Sequence, residues 1–296
     1  MTPPDTATDQ AATTSTRKPL DEELDVYGLT HPGKVRKVNQ DHFLISSLRK
    51  HMQVHYTSLP DVDHLPLGGE RLAWLVMVAD GVGGGTGGEE ASRVTIKEVS
   101  QYIARSMECY YTADASDDAF VDALNEAAMQ CHASVVQRAE DDSDRRRMAT
   151  TLTLVIGVWP RAFLLQVGDS RCYLFRDGKL TQITRDQTMA EELIDSGVLS
   201  RSSAFNTRWA NVLSSSIGGQ QTAPVVTRFE AAWHQVILLC SDGLTKHVSD
   251  DQIGECLGNM TSAKQVCEDL LQAALDDGGS DNITIIVGRA VHHDHE

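Results

Sequence analysis

The sequence predicts an α+β sandwich. Two batches of short apolar or β-branched runs, cut by Gly, Pro and Asp turns, read as antiparallel strands, and each batch has two long helical stretches nearby. No repeat period is visible, and strands do not alternate with helices as βαβ units would require. The expectation is one domain.

Residues 1–20 combine Thr, Ser, Ala, Pro and Asp with almost no large apolar side chain, too little buried surface to order a chain, so they read as a flexible tail. Residues 26–30 then form a strand, 31–33 a turn and 41–46 a second strand. Residues 47–70 mix two prolines, a Gly-Gly and several histidines, as a loop or hairpin insertion would. The run Leu75 to Ala79 is a strand that delivers Asp80 and Gly81 to its end, followed by the glycine-rich stretch 82–88.

Helical spacing is seen over 89–106, and more clearly over 117–139, where Phe120, Leu124, Ala127, Ala128, Cys131 and Val135 recur behind a Ser116/Asp117 cap. The period then changes. Runs at 151–158, 162–167, 172–175 and 180–184, parted by Trp159-Pro160-Arg161, Gly168-Asp169-Ser170 and Asp177-Gly178, predict an antiparallel meander. Residues 186–220 are less apolar and hold a helical piece at 189–196. Strands at 225–229, 236–240 and 283–287 then flank helices at 250–257 and 262–275, and 291–296 form a frayed tail.

With 296 residues, 41 % of them hydrophobic, the chain has enough apolar surface for a real core. A net charge of -16 argues against a nucleic-acid partner, because phosphate backbones need a basic face. No apolar run approaches the roughly 20 residues that cross a bilayer, and the N-terminus lacks a signal-type stretch. The expectation is therefore a cytoplasmic protein without a membrane partner. Cysteines 109, 131, 172, 240, 256 and 267 stand singly in apolar or helical surroundings, which favours buried reduced thiols over disulfides or a zinc knuckle.

The chemistry lies in the carboxylates. Asp41, Asp80, Asp169, Asp242 and Asp281 each fall at a predicted strand edge or turn, and four of the five adjoin Gly or Ser. Clustered without a cation, such acids would repel one another and hold their protons tightly, whereas Mg²⁺ and Mn²⁺ take oxygen ligands and keep several waters. A metal site assembled by folding explains them best. Competing readings are weaker. Gly83, Gly85 and Gly88 fit a dinucleotide-binding glycine pattern, but Asp80 stands where a pyrophosphate would approach, the required second strand is replaced by helix, and no G-K-[ST] is present. His51 and His55 stand four apart without the glutamate of an HExxH motif, and the terminal histidines read as tail.

Taken in order, Arg36-x-x-Asn39-x-Asp41, Ala79-Asp80-Gly81-x-Gly83-Gly84, Met148-Ala149-Thr150-Thr151, Gly168-Asp169-Ser170-Arg171, Ser241-Asp242-Gly243-Leu244 and Asp281-Asn282-Ile283-Thr284 resemble the motif series of the metal-dependent protein phosphatases of type 2C, in their bacterial form. The resemblance runs from about residue 26 to 287. It implies a four-layer αββα sandwich, two antiparallel sheets flanked by helix pairs, occupying 21–290, with 186–219 as a flap beside the active site. Arg201 and Arg208 of that flap are candidates for reading substrate.

The resemblance also implies roles. Asp80 would bridge two Mn²⁺ or Mg²⁺ ions, Gly81 would offer its carbonyl to one, and Asp242 with Asp281 would hold the other. Asp169 with Asp242 would form a weaker third site. Asn282 would orient its neighbours, and Arg36 would grip the substrate phosphate, a bidentate task unsuited to Lys. A metal-bridging hydroxide would attack phosphoserine or phosphothreonine in proteins, without a covalent intermediate. No Cys here has Arg six places on, so the thiol-phosphatase signature is absent.

Two departures stand out. Many members carry Glu before the Asp of the first motif, where this chain has Gln40, so ligation there passes through water or falls to Asp41. Where members carry a histidine proposed as general acid, this chain has Gly83 and Gly85, so no histidine acid is assigned. The implied partners are phosphorylated proteins, namely a serine/threonine kinase and its targets, met by a monomer. Gln40 and the missing histidine are the support for an alternative, a regulatory pseudophosphatase that binds phosphoproteins without turnover.

Overall fold

The computed structural model describes residues 17–50, 69–83, 87–106, 116–141, 148–204 and 207–292. In chain order the first half contains β1 (Leu24–His31), β2 (His42–Lys50), β3 (Glu70–Ala79), β4 (Gly81–Val82), α1 (Gly87–Ser106), α2 (Asp117–Asp141) and β5 (Ala149–Thr150). Next come β6 (Leu152–Val158), β7 (Arg161–Val167), β8 (Arg171–Arg176), β9 (Lys179–Gln182), α3 (Met189–Asp195) and α4 (Arg201–Ala204). The last part holds β10 (Val225–Glu230), β11 (Val236–Cys240), α5 (Asp242–Thr245), α6 (Asp250–Gly258), α7 (Ala263–Asp276) and β12 (Ile283–Ala290).

One five-stranded sheet runs β10-β7-β6-β3-β2 and the other β1-β12-β11-β8-β9, every neighbouring pair antiparallel. Helices α1 and α2 cover the first sheet, and α6 and α7 the second, so the layers are αββα as expected. Strand β3 shows why a central strand here reads as an unbroken apolar run. Leu75 and Met77 face the helix pair, where Phe120 stacks on Phe163 at 4.3 Å, while Val76 and Val78 face the other sheet among Leu164, Leu239 and Ile286. Side chains alternate with period two, and both faces are covered.

The meander expected over residues 151–184 is corrected. β6 and β7 pair in one sheet, β8 and β9 in the other, so the chain crosses between sheets at Gly168-Asp169-Ser170. Gly168 makes that corner with φ +104°, and a Cβ there would stand 2.6 Å from Thr151 Cγ2. The strand batches along the sequence are thus not the two sheets. The insertion is also narrower than the expected 47–70: β2 runs on to Lys50 and β3 begins at Glu70, with a bulge between Leu48 and Arg49. Backbone pairing with β3 keeps these polar residues in the edge strand. His51 and His55 lie outside the described residues.

Both chain ends are held further out than expected. Glu23, buried, pairs with Arg17 at 2.6 Å, and the Leu20 N–H donates to Glu23 Oε2 at 2.6 Å. Arg71 donates to the Pro19 carbonyl. Charge pairing anchors a stretch that lacks apolar surface. At the other end Val291 N–H donates to Glu23 O at 2.8 Å and His292 stacks on Trp233 at 3.7 Å. The five described cysteines are free, all but Cys256 buried; Cys109 lies outside the described residues. Among the described residues no helix is long and apolar enough to cross a membrane.

Candidate metal centre

Antiparallel pairing brings the five aspartates to one end of the sandwich. His42 lies opposite Ala79, so Asp41 and Asp80 flank the same end of the β2–β3 pair. Cys240, the last residue of β11, lies opposite Arg171 of β8 and Ile285 of β12, which places Asp242 beside Asp169 and Asp281. Asp242 does not end a strand, as the sequence suggested, but opens the short helix α5 after Ser241. The two sheets meet through Thr284, whose hydroxyl donates to Asp41 Oδ2 at 2.8 Å.

Hydroxyls fix the backbone between these acids. Thr151 Oγ1 accepts the Asp80 N–H at 3.0 Å, while Thr151 N–H and Thr150 Oγ1 donate to Asp80 O at 2.9 and 2.7 Å. Thr151 Oγ1 also meets Ser170 Oγ at 2.7 Å, tying Asp80 to the turn that bears Asp169. Ser241 Oγ accepts Thr284 N–H at 2.9 Å. Asn282 accepts the Gln40 N–H at 2.8 Å and donates to the Pro32 and Val38 carbonyls at 3.0 Å each, closing the loop before Asp41. Asp41 N–H donates to Asn39 Oδ1 at 3.1 Å. Gly81 and Gly88 permit close approach: a Cβ on Gly81 would fall 2.3 Å from Gly88 O.

The electrostatics follow from burial and crowding. Asp80 holds its proton well above the usual carboxylate range, first through burial and then through the charges of Asp41, Asp242, Asp169 and Asp281. Burial likewise pushes Asp41 up to about 6 against the pull of its Thr284 hydrogen bond, and Asp169, with Asp242 and Asp186 adding repulsion, up to about 8. Asp281 goes the other way. Its burial is outweighed by hydrogen bonds from Arg36 and Lys246, and its pKa is lowered.

Two cations already touch the cluster. Lys246 Nζ lies 2.6 Å from Asp242 Oδ2 and 2.8 Å from Asp281 Oδ2. Arg36 brings Nε to 2.8 Å from Asp281 Oδ1 and donates from Nη2 to Oδ2 at 2.9 Å. Arg36, expected to face phosphate, thus spends its fork on a carboxylate. Arg201 pairs with Glu191 at 3.4 Å, and Arg208 lies over Trp209 at 4.4 Å, so both flap arginines are held by the flap itself.

The donor set suits a hard divalent cation. Asp41 Oδ1 is buried without a hydrogen-bond partner, beside carboxyls that raise one another's proton affinity. Among the described residues no three acidic, imidazole or thiol groups close into a ready-made cage. A hard cation that keeps several waters needs only one or two carboxylates directly. The motif series contains Thr150, Thr151, Ser170, Ser241 and Thr284 without giving them a role, and sequence reasoning missed Lys246 altogether. The signal for the hydroxyls was that four of the five aspartates adjoin Gly or Ser; Lys246, four residues after Asp242, needed α5 to be recognised.

A pH dependence follows. Groups whose folded pKa is raised, here Asp41, Asp169 and Asp80, contribute stability that is fully present below the unfolded carboxylate value of about 4 and is lost as pH rises through the folded values. In EDTA the melting temperature is expected to fall between about pH 5 and pH 8.5, and Mn²⁺ is expected to flatten that fall, because metal and protons compete for the same oxygens. Differential scanning calorimetry across the range checks it; identical slopes with and without Mn²⁺ would count against a cation at these carboxylates.

The family model described as Protein phosphatase 2C matches residues 53–284. A serine/threonine protein phosphatase PstP of Mycobacterium tuberculosis is 33% identical over 223 residues, 75% of this chain and 41% of the relative. The chain therefore spans less than half the length of that relative. A serine/threonine phosphatase stp of Listeria welshimeri is 30% identical over 216 residues, 72% of this chain and 83% of the relative. A solved structure of the catalytic domain of serine/threonine protein phosphatase PstP, in complex with two manganese ions, superposes with a TM-score of 0.68 at 29% identity, covering 91% of this chain and 99% of that one.

Proposed function

The chain belongs to the protein phosphatase 2C family, and we propose that it is a Mn²⁺- or Mg²⁺-dependent phosphatase acting on phosphoserine and phosphothreonine in proteins. The observation that carries this reading is the acidic cluster at one end of the sandwich, where Asp80 feels the charges of four other aspartates and Asp41 keeps a buried oxygen without a partner. When bound, divalent cations supply an activated water and neutralise charge on the transferring phosphoryl group. Asp80 and the Gly81 carbonyl would hold one ion, with Asp80 shared, and Asp242 and Asp281 the other. Asp169 with Asp242 would take a weaker third, and beside Gln40 ligation would pass through water or fall to Asp41.

The protein's own residues do the rest. Thr150 and Thr151 fix the Asp80 backbone, and Asn282 fixes the segment that carries Arg36 and Asp41. The Arg36 fork, about half exposed and bidentate on a carboxylate, has the geometry to grip phosphate oxygens once Asp281 turns to metal. The catalytic domain would span 21–290, with the flap at 186–219 beside the site. The protein would act in the cytoplasm as a monomer, opposing a serine/threonine kinase.

The test is turnover of a phosphopeptide panel and of p-nitrophenyl phosphate by purified protein with millimolar Mn²⁺. Phosphate release that stops in EDTA is expected. Phosphopeptide binding without release would overturn the reading.

A further inference from the structure

Lys246 has no role in the motif series, yet its ammonium lies between two of the carboxylates assigned to a cation. It sits at the C-cap of α5, 2.6 Å from Asp242 Oδ2 on its own helix and 2.8 Å from Asp281 Oδ2 in the turn just before β12. The two carboxylates come from separate elements, and each places an oxygen on the same nitrogen. Its side chain is 29% exposed, so the four-carbon stem has room to swing toward solvent.

We propose that Lys246 is a tethered competitor of the divalent cation at the Asp242–Asp281 pair. Without metal the ammonium neutralises the pair and keeps α5 and β12 in register. Metal binding at that pair displaces it, so Lys246 sets a weaker affinity there than at Asp80. Arg36 does not substitute for it, because its Nε and Nη2 engage Asp281 and leave Asp242 to Lys246. The inference rests on reading Asp242 and Asp281 as ligands.

Isothermal titration of Mn²⁺ into the wild type and Lys246→Met, which keeps the stem and removes the charge, tests it. The binding event at the Asp242–Asp281 pair should tighten about tenfold or more in the variant, since displacing a charge-assisted hydrogen bond costs at least that factor. The tighter event should not move. The melting temperature of Lys246→Met should fall in EDTA, where the pair is left unneutralised, and recover with Mn²⁺. Lys246→Gln repeats the titration should the methionine variant fold poorly. An unchanged or weaker Mn²⁺ affinity overturns the proposal, as does an equal loss of melting temperature with and without Mn²⁺, which marks a purely structural staple. Asp242→Asn separates the two readings: if it leaves both binding events intact, the ligand assignment fails, whereas if it abolishes the weaker event and Lys246→Met shifts nothing, only the competitor role fails.

Discussion

Asp80→Asn is expected to lower Mn²⁺-dependent turnover by about a thousandfold while making the metal-free protein more stable. Charge stabilisation by a bound cation is worth several kcal/mol in the transition state, and each ~1.4 kcal/mol is a factor of ten. The amide keeps the shape of the side chain, and the hydrogen bonds that hold this position, from Thr150 and to Thr151, go through its backbone, so the fold survives the change. Stability rises because one of five crowded carboxylates no longer repels Asp41, Asp242, Asp169 and Asp281. The gain should be larger at pH 8.5 than at pH 6, since at lower pH the raised proton affinity of Asp80 has already neutralised it. Steady-state kinetics with Mn²⁺ and calorimetry in EDTA measure the two halves. Turnover within tenfold of wild type would refute Asp80 as the central ligand.

Gly243→Ala should be strongly damaging, since of the described glycines Gly243 has the closest backbone atom to an added Cβ. A Cβ there would lie 1.9 Å from the Asn282 carbonyl oxygen and 2.8 Å from its carbon, backbone atoms that cannot rotate aside. Helix α5 and the start of β12 would have to part, pulling Asp242 from Asp281 and breaking the Lys246 bridge. Overpacking a core position costs about 1–3 kcal/mol, and a clash with backbone belongs at or above the top of that range. At roughly 2–4 °C per kcal/mol for a chain of this size, the melting temperature should drop by about 6 °C or more. Gly157→Ala is the control: a Cβ there meets nothing within 4 Å, and urea unfolding should show no loss. If Gly243→Ala unfolded like wild type and bound Mn²⁺ equally well, the close packing of α5 against Asn282 would not be what aligns the two carboxylates.

What reached the sequence and what did not divides by range. The run from Leu75 to Ala79 announces a strand covered on both faces, and the spacing from Phe120 to Val135 announces a helix with one buried stripe, because those signals come from neighbours along the chain. The placing of Asp41, Asp80 and Asp281 next to strand ends was equally local. Sheet membership was not. The meander reading failed at Gly168, where a left-handed backbone sends β8 to the other sheet, and nothing within the four runs encodes which sheet a strand will join. Pairing is a contest among distant segments, decided by what each face must bury.

The sequence by itself determined the α+β class through its apolar periodicity, while its short motifs, by resemblance, carried the family, the αββα layering and the acidic residues of the candidate site, since both kinds of signal are properties of the unfolded chain as much as of the folded one. Only the tertiary structure decided how those acids are balanced. Lys246 and Arg36 lower the proton affinity of Asp281, burial and crowding raise that of Asp80, Asp41 and Asp169, and hydroxyls from β5, from Thr151 just after it, from β12 and from the turn after β7 tie these acids and their backbone together. Charge interactions depend on distance and on water excluded around them, and neither exists until the sheets have closed.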